Sequence, residues 1–376
     1  MDLDLPEPLL RAYAARDISD AHQLELGFGA LIPPSQLPDV ERAAQRLHRA
    51  LANDEKILVV GDFDADGATS VALSVLVLQA FGAQQISYLV PNRFEFGYGL
   101  SEAIVALAAE QNPAVIVTVD NGVSSVAGVD AANALGIDVV ITDHHLQGNE
   151  LPAAHAIVNP NLNASVFPSK ALAGVGVAYY LLSVLRAQLR DSGWFSSRQE
   201  PNLADFLDLV ALGTVADVVP LDHNNRILVE QGLRRIRAGR ARPGLLALCA
   251  ISKRNPKELT AADLGFALGP RLNAAGRLDD MSIGIRCLLA ATSAEAGKLA
   301  QALDQLNKTR RQLQQEMQAE AELIVAGQGN SADMAESAGF GVCVYDESWH
   351  QGVVGLVAGQ LKEKLGRPVI AFAEAG

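Results

Sequence analysis

Between residues 55 and 142, short continuous apolar runs alternate with longer segments whose apolar residues recur at helical spacing. The runs at 57–62, 85–90 (QISYLV), 114–120 (AVIVTVD) and 138–142 (DVVIT) read as strands. The segments 68–81, 101–111 behind Ser101 and 124–135 behind Asn121-Gly122 read as helices. Strands without polar alternation are buried on both faces. The pattern therefore predicts an α/β fold: a parallel sheet with helices on both faces.

Upstream, residues 1–54 read as short helices: Leu5 to Ala15, a second capped by Ser19, and a third, Val40 to Ala52, capped by Asp39. Downstream, helices are expected over 172–190 and 203–214, with the polar loop DSGWFSSRQEPN between them. A basic segment from Arg226 to Arg242 holds six arginines against one glutamate. Residues 294–326 carry apolar or small residues at 299, 303, 306, 313, 317, 321 and 324, the near-heptad spacing of a long helix packing along one seam. After GQGNSADMAESAG, GVCVY reads as a strand, Gln351 to Leu365 as a helix and PVIAF as another strand. The organisation expected is an N-terminal helical segment (1–54), a parallel-sheet domain (55–290), a long connecting helix (291–326), a linker (327–339) and a smaller α/β domain (340–376) that the sequence leaves incomplete.

Composition fits a globular chain, with 49% hydrophobic and 19% charged residues among 376. The longest apolar run, Ala173 to Leu185, is broken by Gly and Tyr and is too short to span a bilayer. The acidic start MDLDLPEPLL lacks a signal pattern. Cys249, Cys287 and Cys343 form neither a disulfide framework nor a CxxC site. A soluble cytoplasmic protein with no membrane contact is expected. The net charge of −13 argues against broad nonspecific nucleic-acid binding, while leaving room for a local basic groove.

Ligands of open α/β sheets sit beyond the carboxyl ends of the strands. Three predicted strands end on chemically capable residues: Asp62-Phe63-Asp64, Asp120, and Asp143-His144-His145. In GDFDADG, alternate residues of an extended segment would turn Asp62, Asp64 and Asp66 to one face. Acids so close repel unless a cation neutralises them. An EF-hand loop has similar spacing but needs a bidentate Glu at its twelfth position, where this chain has Leu73, and the flank before it is strand-like. A helix cap would explain one of the aspartates, not three.

With Asp120, His144 and Asp217 (in ALGTVADVVPL), the candidate ligands are five carboxylates and one imidazole, without thiolate. That donor set favours Mn²⁺ or Mg²⁺ over zinc. It exceeds one ion's need and points to two ions, about 3.5–4 Å apart and bridged by one Asp, suited to phosphoester or phosphoanhydride hydrolysis. His145 projects differently from His144 and suits a supporting or phosphate-contact role. His22, His48, His155 and His223 have no such company. Arg93 and Tyr98 in PNRFEFGYGL, and Arg271, Asn273 and Arg277 in GPRLNAAGRL, are candidates for phosphate or sugar contact. In WHQGVVGLVAG (349–359), with His350 and Gly352, glycines at a helix start make either an anion site or a tight packing contact.

GDFDADGATS, TVDNGVSS, TDHHL and GTVADVVPL, in this order, resemble the four signature motifs of the DHH phosphoesterase superfamily, and TDHHL contains its eponymous Asp-His-His. PNRFEFGYGL, LAGVGVAYYLL, GPRLNAAGRLDD and WHQGVVGLVAGQL resemble the RecJ branch of single-strand-specific exonucleases. The likeness runs from about residue 5 to the end. It implies a DHH catalytic domain, a long connecting helix and a smaller DHHA1-type domain, with DNA threading the cleft between them. It implies 5′→3′ degradation of single-stranded DNA to mononucleotides with Mn²⁺ or Mg²⁺ in recombination and repair, and single-strand-binding protein and a repair helicase as partners. By this resemblance Asp62, Asp64 and Asp120 would hold one ion, and Asp66, Asp120, His144 and Asp217 the other. His145 would act on the scissile phosphate, while Arg93, Arg271 and the 349–355 segment would hold the strand. Members of this branch continue past the point where this sequence stops, completing the DHHA1 domain and adding an OB-like one, so grip on the strand is expected to be weaker here.

Two other readings compete. A small-molecule phosphohydrolase of the same superfamily, acting on pyrophosphate, cyclic dinucleotides or short oligonucleotides, would often replace the first Asp of D-x-D-x-D with a distant His and lack GPRLNAAGRL. A non-catalytic replication or repair scaffold would have lost metal ligands, and all six candidates are intact here.

Overall fold

The computed structural model describes residues 5–16, 18–328 and 340–374. In chain order its elements are α1 (Glu7–Ala14), α2 (Val40–Ala52), β1 (Ile57–Val60), α3 (Ala65–Phe81), β2 (Ile86–Leu89), α4 (Glu102–Ala109), β3 (Val115–Val119), α5 (Val126–Ala134), β4 (Asp138–Thr142) and β5 (Ala156–Val158). There follow α6 (Gly174–Asp191), α7 (Leu207–Ala216), α8 (His223–Arg237), α9 (Pro243–Ile251), the short α10 (Ala261–Asp263), α11 (Gly269–Leu278), α12 (Ser282–Leu289) and α13 (Ser293–Gln328). Last come β6 (Val342–Tyr345), α14 (Val354–Leu365) and β7 (Val369–Phe372).

The first five strands form one parallel sheet in the order β2-β1-β3-β4-β5. Successive residues of β1 point to opposite faces, so Ile57 and Val59 join the core under α2, α3 and α6, while Leu58 and Val60 join the core under α4 and α5. Both faces are covered, which explains the unbroken apolar runs. Helix α3 lacks an amphipathic stripe for the same reason: fourteen of its 17 residues are buried, between the sheet and helices α6, α7 and α12. β5 is an addition that its three-residue length and lack of flanking periodicity hid from the sequence.

Strand order reverses between β1 and β3, because the chain leaves β1 for β2 on one side and returns to β3 on the other. The carboxyl ends of β1, β3 and β4 therefore lie side by side at the crevice where such sheets bind ligands.

Three expectations near the N-terminus and in the first loop are corrected. Asp20, not Ser19, caps the turn Ala21–Leu24, with Gln23 reciprocating in a capping box. Asp39 precedes α2 without capping it; its backbone is left-handed and its Oδ2 accepts from the Ile157 amide at 3.1 Å. Strand β1 ends at Val60 and α3 starts at Ala65, so Asp62, Asp64 and Asp66 do not alternate along an extended segment. Asp64 caps α3, accepting from the Gly67 amide at 2.9 Å, and Asp66 lies in the first turn. The three acids converge because the chain turns there.

The seam of α13 serves two cores. Leu299, Leu303 and Leu306 pack with the main body, whereas Leu313, Met317, Ala321 and Ile324 pack with β6 and α14. β6 and β7 pair in parallel beside it. The expected linker at 327–339 falls, from residue 329, outside the described residues. Among the described residues no helix is long and apolar enough to cross a membrane.

Candidate metal centre

Asp120 follows β3 directly, with its amide still bonded to Thr142 O at 2.9 Å and its backbone left-handed at φ 63°. Aspartate tolerates that region better than most residues. The turn is pinned from both sides: Asn121 Nδ2 donates to Val60 O and Val119 O, and Thr118 Oγ1 donates to Asn121 O at 2.7 Å. The Asp120 carboxylate is thus held in a buried, predetermined place between the β1 and β4 loops.

Helix α6 approaches this place end-on. Asp66 accepts from the Gly174 amide at 2.7 Å and the Val175 amide at 3.0 Å, so the partial positive N-terminus of α6 supports a buried carboxylate. A Cβ at Gly174 would lie 2.5 Å from Asp120 Oδ1, and only glycine permits this contact. Helix α11 buttresses the other side. Asn273 Oδ1 accepts from the Ala65 amide at 2.8 Å, and a Cβ at Gly276 would come within 1.7 Å of Phe63 O.

Ligand-capable atoms fall into three overlapping groups, each within 4.8 Å: Asp62, Asp64 and Asp120; Asp66, His144 and Asp217; and Asp120, His144 and His145. All six candidate ligands are therefore brought to one pocket, and Asp120 belongs to two of the groups. Four of the buried atoms, Asp62 Oδ1, Asp120 Oδ1, His144 Nε2 and Asp217 Oδ2, have no hydrogen-bond partner. Buried acceptors are ordinarily satisfied, and four unpartnered atoms in one pocket fit a bound cation.

Electrostatics agree. Burial, and next the neighbouring Asp64, raises Asp62 to about 7 and Asp217 to about 6. Burial and adjacent aspartates push Asp66 and Asp120 well above the usual range. Burial, then His145, lowers His144 to about 4, so its imidazole is neutral at pH 7. Its unpartnered Nε2 lies 3.1 Å from Asp120 Oδ1 and 3.6 Å from Asp217 Oδ2. This is no ion pair. A neutral imidazole and two carboxyl groups meet at one point, and a divalent cation fits them.

His145 is arranged differently. Its Nδ1 lies 2.8 Å from Asp143 Oδ1 and 3.1 Å from the Tyr98 hydroxyl. The hydrogen bond to Asp143 raises its pKa against the opposing effect of burial. Asp143 is buried, which resists its ionisation, but His145 and the Val123 and His145 amides outweigh burial and hold it below the ordinary value. The sequence marked Asp143 as a chemically capable strand end without giving it a role; the structure supplies one, two residues from His145.

The candidate strand contacts divide. Arg93 stacks 4.0 Å over the Phe63 ring, its Nε buried and unpartnered. Arg277 donates to Gly352 O at 3.2 Å; burial first, then Arg93 and Arg310, lower its pKa. Arg310 on α13, held by Asn307 and Gln314, is a cation the sequence reading passed over. Tyr98 lies beside His145 and donates to Asp120 O at 3.3 Å. Arg271 pairs with Asp304 of α13 at 2.8 Å and donates to Ala267 O, and Asn273 holds the Ala65 amide, so these two tie the fold around the centre. His350 Nδ1 accepts from the Gly352 amide at 3.0 Å, and a Cβ at Gly352 would lie 2.0 Å from Arg277 O, which makes that glycine a close packing contact with the end of α11.

Residues 56–214 match the family model described as DHH family, N-terminal domain. The chain is 57% identical over 375 residues to the single-stranded-DNA-specific exonuclease RecJ of Salmonella typhimurium, covering 99% of this chain and 64% of that protein. The Escherichia coli protein of the same name is 56% identical over 375 residues, with the same coverage of 99% and 64%. Among solved structures, exonuclease RecJ bound to manganese matches with a TM-score of 0.77 and 33% identity, over 90% of this chain and 80% of that one. RecJ of Thermus thermophilus in complex with Mg²⁺ matches with a TM-score of 0.71 and 29% identity, over 96% of this chain and 47% of that one. The chain thus spans 64% of the length of these Salmonella and Escherichia relatives.

Proposed function

This chain belongs to the RecJ branch of the DHH family, and on that footing we propose that it is a metal-dependent exonuclease degrading single-stranded DNA 5′→3′ to mononucleotides, in recombination and repair. The observation that carries the reading is the convergence of orphaned buried acceptors on one pocket. We read 55–290 as the catalytic unit, 291–326 as the connecting helix, and 340–376 as part of a smaller unit closing the cleft, supported by the split seam of α13. A cytoplasmic location, with single-strand-binding protein and a helicase supplying strands, accompanies that role.

Asp62, Asp64 and Asp120 would hold one ion and Asp66, Asp120, His144 and Asp217 a second, both Mn²⁺ or Mg²⁺. When bound, such ions supply the positive charge that draws electron density from a phosphoryl group. The chain's own residues do the rest. Asp143 engages His145 Nδ1 and leaves Nε2 to lend a proton toward the scissile phosphate. Tyr98 packs edge-on against that imidazole, centroids 5.7 Å apart, and restricts it. Arg93 feels the charges of Asp62 and Asp64, and Arg277 that of Asp64, and both guanidinium groups would hold phosphates of the strand. His350 and Gly352 border the same cleft through Arg277.

Incubation of 5′- and 3′-labelled single strands, duplexes and short oligonucleotides with Mn²⁺ or EDTA tests the reading. Labelled mononucleotide should appear first from the 5′-labelled single strand and not at all in EDTA. Cleavage confined to dinucleotides, cyclic dinucleotides or pyrophosphate would favour the small-molecule hydrolase instead.

Metal binding should be coupled to pH. In the metal-free fold Asp62 and Asp217 keep protons up to about 7 and about 6, above their ordinary range. The folded state therefore holds more protons than the unfolded one between roughly pH 4 and 7. Metal-free stability should fall as pH rises through that window. A cation binds only the deprotonated carboxylates. Mn²⁺ should accordingly raise Tm more at pH 8 than at pH 5.5, measured by calorimetry against EDTA; equal increments would contradict the assignment.

Asn273→Ala removes the acceptor that fixes the Ala65 amide between Asp64 and Asp66. Partners that orient metal ligands typically contribute about 10- to 100-fold in affinity or activity. Titration calorimetry with Mn²⁺ should show a loss of that order, with Tm in EDTA lowered by only a few degrees.

A further inference from the structure

The ladder between β4 and β5 ends where the Asp143 amide donates to Val158 O at 3.1 Å. Beyond it both chains leave the sheet side by side, one into Asp143-His144-His145 and the other into Asn159-Pro160-Asn161. Neither stretch continues as helix or strand, so its backbone donors and acceptors need partners from elsewhere.

Side chains supply them for both histidines. Asp143 Oδ1 accepts from the His144 amide at 2.7 Å and from the His145 amide at 3.1 Å. On the carbonyl side, Asn161 Nδ2 donates to His144 O, and Asn159 Nδ2 donates to His145 O at 2.9 Å. Every backbone polar group of the pair is thereby engaged. The peptide plane between the histidines is held at its C=O by Asn161 and at its N–H by Asp143, and so cannot rotate.

The two asparagines are also tied together. Asn159 is wholly buried, and its Oδ1 accepts from the Asn161 amide at 2.7 Å. Asn161 Nδ2 also reaches Lys170 O at 3.1 Å, on the segment leading into α6, while the Lys170 ammonium donates to Pro160 O and Ser165 O. Asparagines that merely form a turn bond their own near neighbours. These two reach back 14 and 17 residues, to the carbonyls of consecutive histidines with different tasks.

We propose that Asn159 and Asn161 are positioning residues: through these carbonyls they aim the His144 imidazole at the cation and the His145 imidazole at the scissile phosphate. This rests on the metal-centre and single-strand reading given above. Asn161 acts chiefly on His144. Asn159 acts on His145 directly and on His144 through the Asn161 amide. Sequence reading passed over both, since an amide after a three-residue strand looks like an ordinary turn residue.

The test compares Asn161→Ala, the similarly shaped but donor-free Asn161→Leu, and Asn159→Ala with the parent. In titration calorimetry with MnCl₂, both Asn161 variants should bind Mn²⁺ about 10- to 100-fold more weakly, the range for a group that orients a metal ligand. At saturating Mn²⁺, Asn161→Ala should cut a 5′-labelled single strand within about threefold of the parental rate, since Asn159 and Asp143 still hold His145. Asn159→Ala should stay about 10- to 100-fold slow at the same Mn²⁺, because a misplacement of about 1 Å costs about that much in rate. Parental Mn²⁺ affinity in both Asn161 variants, with melting in EDTA lowered, would make their role merely structural and overturn the proposal. Full recovery of Asn159→Ala at saturating Mn²⁺ would overturn it for His145. Weakened Mn²⁺ binding by the Asn161 variants of a parent that cuts no single strand would support the aim given to His144 and refute the single-strand reading.

Discussion

Replacing Asp120 with Asn is expected to lower hydrolysis of single-stranded DNA by at least about 10³-fold, with Mn²⁺ saturating. The carboxylate belongs to two ligand groups at once, with Asp62 and Asp64 on one side and His144 on the other. Loss of one oxygen's charge therefore weakens both halves of the centre. Each 1.36 kcal/mol of transition-state stabilisation is tenfold in rate, and the charge of a bound metal contributes several kcal/mol. The amide is nearly isosteric, and the Asn121 and Thr118 bonds that pin the turn are untouched. Folding should survive and strand binding should survive in part. Single-turnover kinetics on a 5′-labelled strand will measure the effect, and near-parental rates would remove Asp120 from the centre.

Gly174→Ala should produce the second largest loss, about 10²- to 10³-fold, although this glycine holds neither ion nor substrate. Its added methyl would sit 2.5 Å from Asp120 Oδ1 and 2.7 Å from Asp120 Cβ, distances that side chains do not sustain. Asp120 cannot retreat, because its loop is bonded to Val60, Val119 and Thr142. The start of α6 must give instead, taking with it the amides of Gly174 and Val175 that hold Asp66. Overpacking of this kind costs about 1–3 kcal/mol of stability. Misplacement by about 1 Å costs about 10²-fold in rate. The variant should melt a few degrees lower and bind Mn²⁺ poorly, as calorimetry can determine. Parental activity would show that the centre tolerates more movement than its geometry implies.

Both substitutions show how unevenly the centre was legible. Asp62, Asp64, Asp66, Asp120, His144 and Asp217 could be read from the chain because strand ends and charged residues are local signals. How they meet could not. The alternation expected of Asp62, Asp64 and Asp66 fails because β1 stops at Val60 and the chain turns into α3, leaving Asp64 as a helix cap. The supporting residues were hidden for the opposite reason. Gly174 and Gly276 work by lacking a side chain. Arg271 and Asn273 were read as candidates for phosphate or sugar contact, and the folded chain engages both side chains internally. Only the packing of α11 against Asp304 and Ala65 reveals what they bind.

The class of fold, most element positions and the six candidate ligands were legible along the chain, since apolar periodicity and donor chemistry are properties of short stretches. The remainder arose from long-range packing. Strand order placed the ends of β1, β3 and β4 side by side, and the N-terminus of α6 came to rest on Asp66. The seam of α13 was divided between two cores. These are contacts between residues distant along the chain, set by which apolar faces bury one another, and no local pattern encodes them.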